Sequence, residues 1–159
     1  MREYKIKVSI ADYLSKNQIL FLEVKERKEA LIALVDLLDR AGKLREKEQF
    51  FSSILQREKI VSTGIGLGVA IPHAKLEGYE DFFIAIGIQK EGMGLEWNAL
   101  DGVPVRLIFM IGGPDNRQTD YLQILSSLTT AIKDGVRRKN LLASKTPDQV
   151  LDWFQKPGM

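Results

Sequence analysis

The sequence predicts one α/β or α+β domain whose sheet is covered by helices. Two patterns carry that prediction. Long segments set apolar residues at helical spacing with charges opposite, the mark of amphipathic helices. Short runs between them are apolar almost throughout, as strands are when both faces are covered. A length of 159 residues, read as a single domain over 1–159, suffices to bury a core. The balance of 45% apolar and 28% charged residues is that of a soluble globular chain.

Lys5–Val8 and Ile19–Val24 are short, apolar or β-branched, and read as strands, with a helical turn over Ile10–Leu14 between them. Glu26–Ala41 is the first helix. Ala30, Leu31, Leu34, Val35 and Leu38 form its stripe and Gly42 stops it. Glu46–Arg57 is the second, with Phe50, Phe51, Ile54 and Leu55 on one face. Ser62–Gly68 reads as a glycine-rich loop, and Val69–His73 as a buried strand ending at the histidine. Phe82–Gln89 and Val105–Ile111 read as further strands, separated by turn signals at Gly92, Gly94 and Asp101-Gly102, with Trp97 packing nearby. Gly112–Asn116 reads as a loop. Gln118–Lys133 is a helix with Leu122, Leu125, Leu128 and Ile132 in its stripe. Lys139–Ala143 and Pro147–Phe154 are shorter helices; Thr146 caps the second and Pro147 opens it.

Composition removes several chemistries. The chain has no cysteine, which excludes disulfide frameworks, cysteine nucleophiles and thiolate metal sites. It has one histidine, which excludes a two-histidine metal site within one chain, and no metal or cofactor is expected. A net charge of +2 is too mild to argue for nucleic acid. The basic residues Lys133 and Arg137–Lys139 read as a solvated helix junction. No signal or membrane-spanning run is visible, so the cytoplasm is the expected location.

The informative stretch is 57–75, REKIVSTGIGLGVAIPHAK. Gly64, Gly66 and Gly68 allow a backbone whose successive N–H groups form an anion-binding concavity. His73 follows Pro72, whose ring stiffens the approach to the imidazole. Arg57 stands shortly before the loop, and arginine is the preferred bidentate partner of phosphate. A lone imidazole near such groups points to nucleophilic attack on a phosphoryl group. The same residues also suit a plain turn followed by a structural histidine. A Rossmann loop is excluded because the glycines precede a strand, and a P-loop because no Gly-Lys-Ser/Thr follows.

The stretch resembles the signature of the enzyme IIA domains of the fructose/mannitol/nitrogen-regulatory class (EIIA type 2) of the phosphoenolpyruvate-dependent sugar phosphotransferase system. Glu58 matches its upstream acidic or amide position. Ile65-Gly66 and then Val69-Ala70-Ile71-Pro72-His73-Ala74 match the remainder. The likeness continues through Gly94–Val105 and the last three helices, covering roughly Tyr4 to Phe154. The resemblance implies a mixed sheet flanked by helices on both faces. It implies that His73 takes phosphate from an HPr-type phosphocarrier protein, with Arg57 stabilising it. One position departs from the pattern. Where family members commonly carry a second histidine followed by leucine, this chain has Tyr121-Leu122. A phenol donates a hydrogen bond and brings no positive charge.

The resemblance leaves two functions open. In the first, His73 passes phosphate to a IIB domain, as a phosphotransferase component does. In the second, a nitrogen-type regulatory protein, the phosphorylation state of His73 controls binding to a target protein such as a membrane transporter or a kinase, without insertion into the membrane. Tyr121 leans towards regulation, and the intact signature towards transfer.

Overall fold

A computed structural model describes residues 8–155. The strand expected over Lys5–Val8 lies, but for Val8, outside the described residues. Two single 3-10 turns, Ile10–Tyr13 and Lys16–Gln18, lead into β1, Ile19–Leu22. The helices α1, Arg27–Arg40, and α2, Lys47–Ile60, follow as an antiparallel pair. Glu29 accepts the N–H of Glu26 at 3.0 Å, and Glu46 accepts that of Gln49 at 3.0 Å; these carboxylates answer the free donors of each first turn. Then come β2, Gly64–Gly66; β3, Val69–Ala70; β4, His73–Leu76; β5, Phe83–Gln89; and β6, Leu107–Pro114. The chain closes with α3, Gln118–Lys133; α4, Gly135–Ala143; and α5, Pro147–Gln155.

The six strands form one mixed sheet in the order β1-β5-β6-β3-β2, with β4 also on β6. β5 and β6 are antiparallel, while β1 runs parallel to β5, and both β3 and β4 run parallel to β6. Helices cover both faces, as the resemblance implied. On one face α1 and α2 pack Leu31, Leu34, Phe50 and Ile54 against Ala85, Ile108 and Met110. On the other, α3, α4 and α5 pack Ile124, Leu128, Leu141 and Phe154 against Ile84, Ile86, Phe109 and Ile111. Alternation along β5 and β6 assigns these residues to their faces.

Two bare positions tighten the sheet beside the histidine. A Cβ on Gly112 would lie 2.5 Å from the Phe83 ring, and one on Gly113 2.2 Å from the Phe82 ring. Rings from opposite faces thus rest directly on the β6 backbone.

Several boundaries move. α2 runs to Ile60, so Arg57 stands inside its last turn, where a cation faces the negative end of the helix dipole. Gly112–Pro114, expected in a loop, extend β6, because β4 offers that end a parallel partner. α4, expected over Lys139–Ala143, starts at Gly135, and Asp134 caps it by accepting from Val136 N at 3.0 Å and Arg137 N at 3.3 Å. Arg137, read as solvated, is buried against Phe154. Leu122 is exposed; the α3 stripe is carried by Tyr121, Ile124, Leu128 and Ile132. Thr146 caps α5 as expected, its hydroxyl accepting Gln149 N at 3.2 Å.

Candidate functional site

The strand expected over Val69–His73 is broken. β3 pairs with the start of β6 and β4 with its end, and Ile71-Pro72 lie between them. Proline cannot donate to a ladder, so the break falls there. Ile71 N turns the other way, to Thr63 O at 3.0 Å, while Pro72 O accepts Ile111 N at 2.9 Å. The Ile71 carbonyl is left to the histidine: His73 Nδ1 lies 3.0 Å from it. A carbonyl only accepts, so Nδ1 carries the proton and Nε2 keeps the free lone pair. His73 therefore opens a strand instead of ending one, and its tautomer follows from the proline two atoms of backbone away.

Around this half-buried imidazole the structure gathers Arg57, Lys75 and Tyr121. Lys75, two residues along β4, shares the face of His73. The Tyr121 ring, buried in the first turns of α3, lies 5.7 Å from the His73 ring, tilted by 44°. The Lys75 ammonium sits 4.2 Å from the centre of the Tyr121 ring and donates to Gln118 Oε1 at 2.6 Å. Burial is the main cause that pulls the His73 pKa below its usual 6.5; the Arg57 and Lys75 charges add to it, against the hydrogen bond to Ile71. Burial, then Arg57, also lowers Lys75, with Asp115 opposing, and burial raises the Tyr121 phenol. Neutral imidazole is thus the resting form near neutral pH. Among the described residues neither Arg57 nor Lys75 forms an ion pair with a carboxylate.

The glycines have another task. β2 and β3 form a tight antiparallel hairpin, with Gly66 at φ 97° and Gly68 at φ 75°. The anion at its tip is the chain's own: Asp101 accepts Leu67 N at 2.9 Å and Val103 N at 3.0 Å. Gly64 lets the 97–99 segment approach, a Cβ there lying 3.1 Å from Ala99 Cβ. Hairpin geometry at Gly66 and Gly68, and the close approach to Ala99 at Gly64, account for these three glycines within the fold. Beneath the hairpin, Glu58 is buried. It accepts the Thr63 hydroxyl, lies 3.8 Å from the Arg27 guanidinium, and shares Thr63 with Trp97, whose Nε1 donates to Thr63 Oγ1 at 3.1 Å.

Sequence reasoning brought His73, Arg57 and Tyr121 together and missed Lys75 and Gln118. Alternation from His73 would have found Lys75, had the strand been read forward from the histidine.

A helix-covered mixed sheet of this topology is the fold of solved IIA proteins. Nitrogen regulatory protein IIA-Ntr from Neisseria meningitidis superposes with a TM-score of 0.84 at 30% identity, over 92% of this chain and 99% of that one. The chain belongs to the family described as "Phosphoenolpyruvate-dependent sugar phosphotransferase system, EIIA 2", which matches residues 12–156. It is 38% identical over 146 residues to the fructose-specific EIIABC component of Bacillus subtilis, covering 91% of this chain and 23% of that protein. It is 32% identical over 151 residues to a nitrogen regulatory protein of Bradyrhizobium diazoefficiens, covering 93% and 95% respectively. The chain thus spans under a quarter of the Bacillus protein and nearly all of the Bradyrhizobium one. Among the described residues no helix is long and apolar enough to cross a membrane.

Proposed function

We propose that the chain is a phosphoryl carrier in which His73 Nε2 accepts the group from an HPr-type protein and yields it to a IIB partner in the cytoplasm. The observation that carries this reading is the His73 Nδ1 contact to Ile71 O at 3.0 Å, which leaves Nε2 as the nucleophile. The Nε2 lone pair attacks phosphorus as the donor's phosphorus–nitrogen bond breaks, and the donor imidazole leaves with that electron pair. The ring gains positive charge as the bond forms, and the Ile71 carbonyl at Nδ1–H stabilises it. Arg57 meets the charge spread over the equatorial oxygens of a loose transition state. A depressed His73 pKa keeps the nucleophile available to pH values below 6.5.

Intact mass measurement after incubation with phosphoenolpyruvate, enzyme I and an HPr-type carrier tests this. The chain should gain one phosphoryl group, labile in acid and stable in base, and His73→Gln should gain none. Phosphate on the His73→Gln variant overturns the reading.

The likeness to IIA-Ntr along nearly its full length favours a second reading, in which phosphorylation of His73 changes affinity for a target protein. Binding of candidate targets to the phosphorylated and unphosphorylated forms separates it from transfer.

A further inference from the structure

The signature names a histidine and leaves unassigned the lysine beside it. Lys75 projects from the same face of β4 as His73, and its ammonium rests over the Tyr121 ring at 4.2 Å. Gln118 Oε1, at 2.6 Å, takes one of its N–H groups. Two further N–H groups remain for an incoming anion. The groups bearing on this ammonium are Arg57, which opposes it, and Asp115, which favours it without forming an ion pair. Tyr121 is held in place: its ring is buried, flanked by the tilted rings of His73 at 5.7 Å and Phe82 at 6.2 Å.

We propose that Lys75 is a phosphoryl-binding residue of this site and that Tyr121 is the positioning residue whose ring face holds the Lys75 ammonium beside His73. The inference rests on His73 being the acceptor. A cation over an aromatic face is stabilised by the ring quadrupole, and the amide oxygen of Gln118 sets its direction. Lysine is a compact point charge, suited to follow phosphoryl oxygens as they cross from donor to acceptor. As the donor's phosphorus–nitrogen bond breaks and the bond to Nε2 forms, the ammonium stays protonated and no proton is transferred through it. The role of Tyr121 lies in its ring, and the hydroxyl is secondary. A chain with one histidine thereby keeps a second movable cation next to the reacting nitrogen.

Rapid-quench transfer from the phosphorylated carrier, measured on the wild type and on variants, tests this. Lys75→Met should slow phosphorylation by at least about 10-fold, a loss in keeping with removal of one charge-stabilising donor. Lys75→Arg keeps a cation over the ring and should recover most of that loss. Tyr121→Phe keeps the ring and should lose no more than a few-fold, whereas Tyr121→Leu should fall towards the rate of Lys75→Met. The double variant Tyr121→Leu with Lys75→Met should be little slower than either alone, because the two act as one unit. NMR titration supplies a readout that mere loss of packing would not move: the His73 pKa should rise in Lys75→Met, since the Lys75 charge helps to lower it. A Lys75→Met variant that takes phosphate at the wild-type rate overturns the proposal, as do losses in the double variant that simply multiply. If the wild type itself takes no phosphate, the assignment of His73 fails, and this proposal with it.

Discussion

Two ends of one interrupted strand, on either side of Pro72, treat their charges in opposite ways. On the hairpin side the carboxylates find partners within the chain: Glu58 meets Thr63 and Arg27, and Asp101 meets the amides of Leu67 and Val103. On the histidine side two cations, Arg57 and Lys75, carry no ion pair among the described residues. Both ends contain a motif residue, glycines at one and the imidazole at the other. A charge already answered by the fold contributes to stability, and a charge left for an outside partner contributes to binding. The difference separates the residues that build this site from those we propose to act in it.

That contrast can be broken most directly at Arg57. Arg57→Ala should slow phosphorylation about 10²-fold, the scale for a removed charge-stabilising group. Its melting temperature should shift little because the side chain is exposed. A large stability loss with an unchanged rate would place Arg57 with the hairpin residues. Glu58→Ala should do the reverse. It leaves the buried Thr63 hydroxyl without its charged acceptor, a cost of about 2 kcal/mol. For a domain of this size that is a fall of about 4–8 °C in Tm, read by calorimetry. Phosphorylation by the folded fraction should change by no more than a few-fold.

Tyr121→His sharpens the contrast further by adding a titratable cation to the open end. The new imidazole would be buried near two positive groups, so it should stay neutral at pH 8, where loss of the phenol ring beneath Lys75 should slow transfer towards the rate of Tyr121→Leu. Burial and the two charges push its protonation below pH 6.5, and there the added charge should recover about 10-fold in rate, or roughly 1.4 kcal/mol of barrier. Equal rates for the two proteins across pH 5 to 8 would show that this position lends transfer neither its ring nor a charge.

The smallest effect is in the pH dependence of stability. The folded His73 pKa lies below 6.5, so as pH falls through that value the unfolded chain binds a proton that the native chain resists. Stability should therefore decline below pH 6.5 by a His73-dependent amount that levels off once the folded imidazole also protonates. Denaturant midpoints at pH 5 to 8 should show that slope in the wild type and lack it in His73→Gln.

Much of this was legible in the residues, for physical reasons that also explain the misses. α3 runs over Gln118–Lys133 as expected, because its apolar spacing holds for four turns. Within it Leu122 misled: hydrophobicity marked it as core, but the phase of the helix is set by Tyr121, Ile124 and Leu128, which leaves Leu122 outside. Pro72 was read as a stiff element, and what the fold shows of it is a break in the ladder that frees the Ile71 carbonyl for His73. The glycines show the limit of local reading. Positive φ angles at Gly66 and Gly68 were foreseeable, but the carboxylate at the hairpin tip comes from Asp101, 34 positions along the chain from Leu67.

Mutational drift in this chain is constrained at two places that never meet a phosphate. Gly112 and Gly113 are the ladder partners of Ala74 and Lys75, and each lies under a phenylalanine ring with no room for a methyl group. An alanine at either would push β6 or its ring aside, and the displacement would pass through the ladder to the neighbours of His73. Exposed helix positions can vary at little cost, whereas one added carbon here would detune the site from behind. Sequence change that preserves the histidine, the arginine and the lysine can therefore still silence the protein.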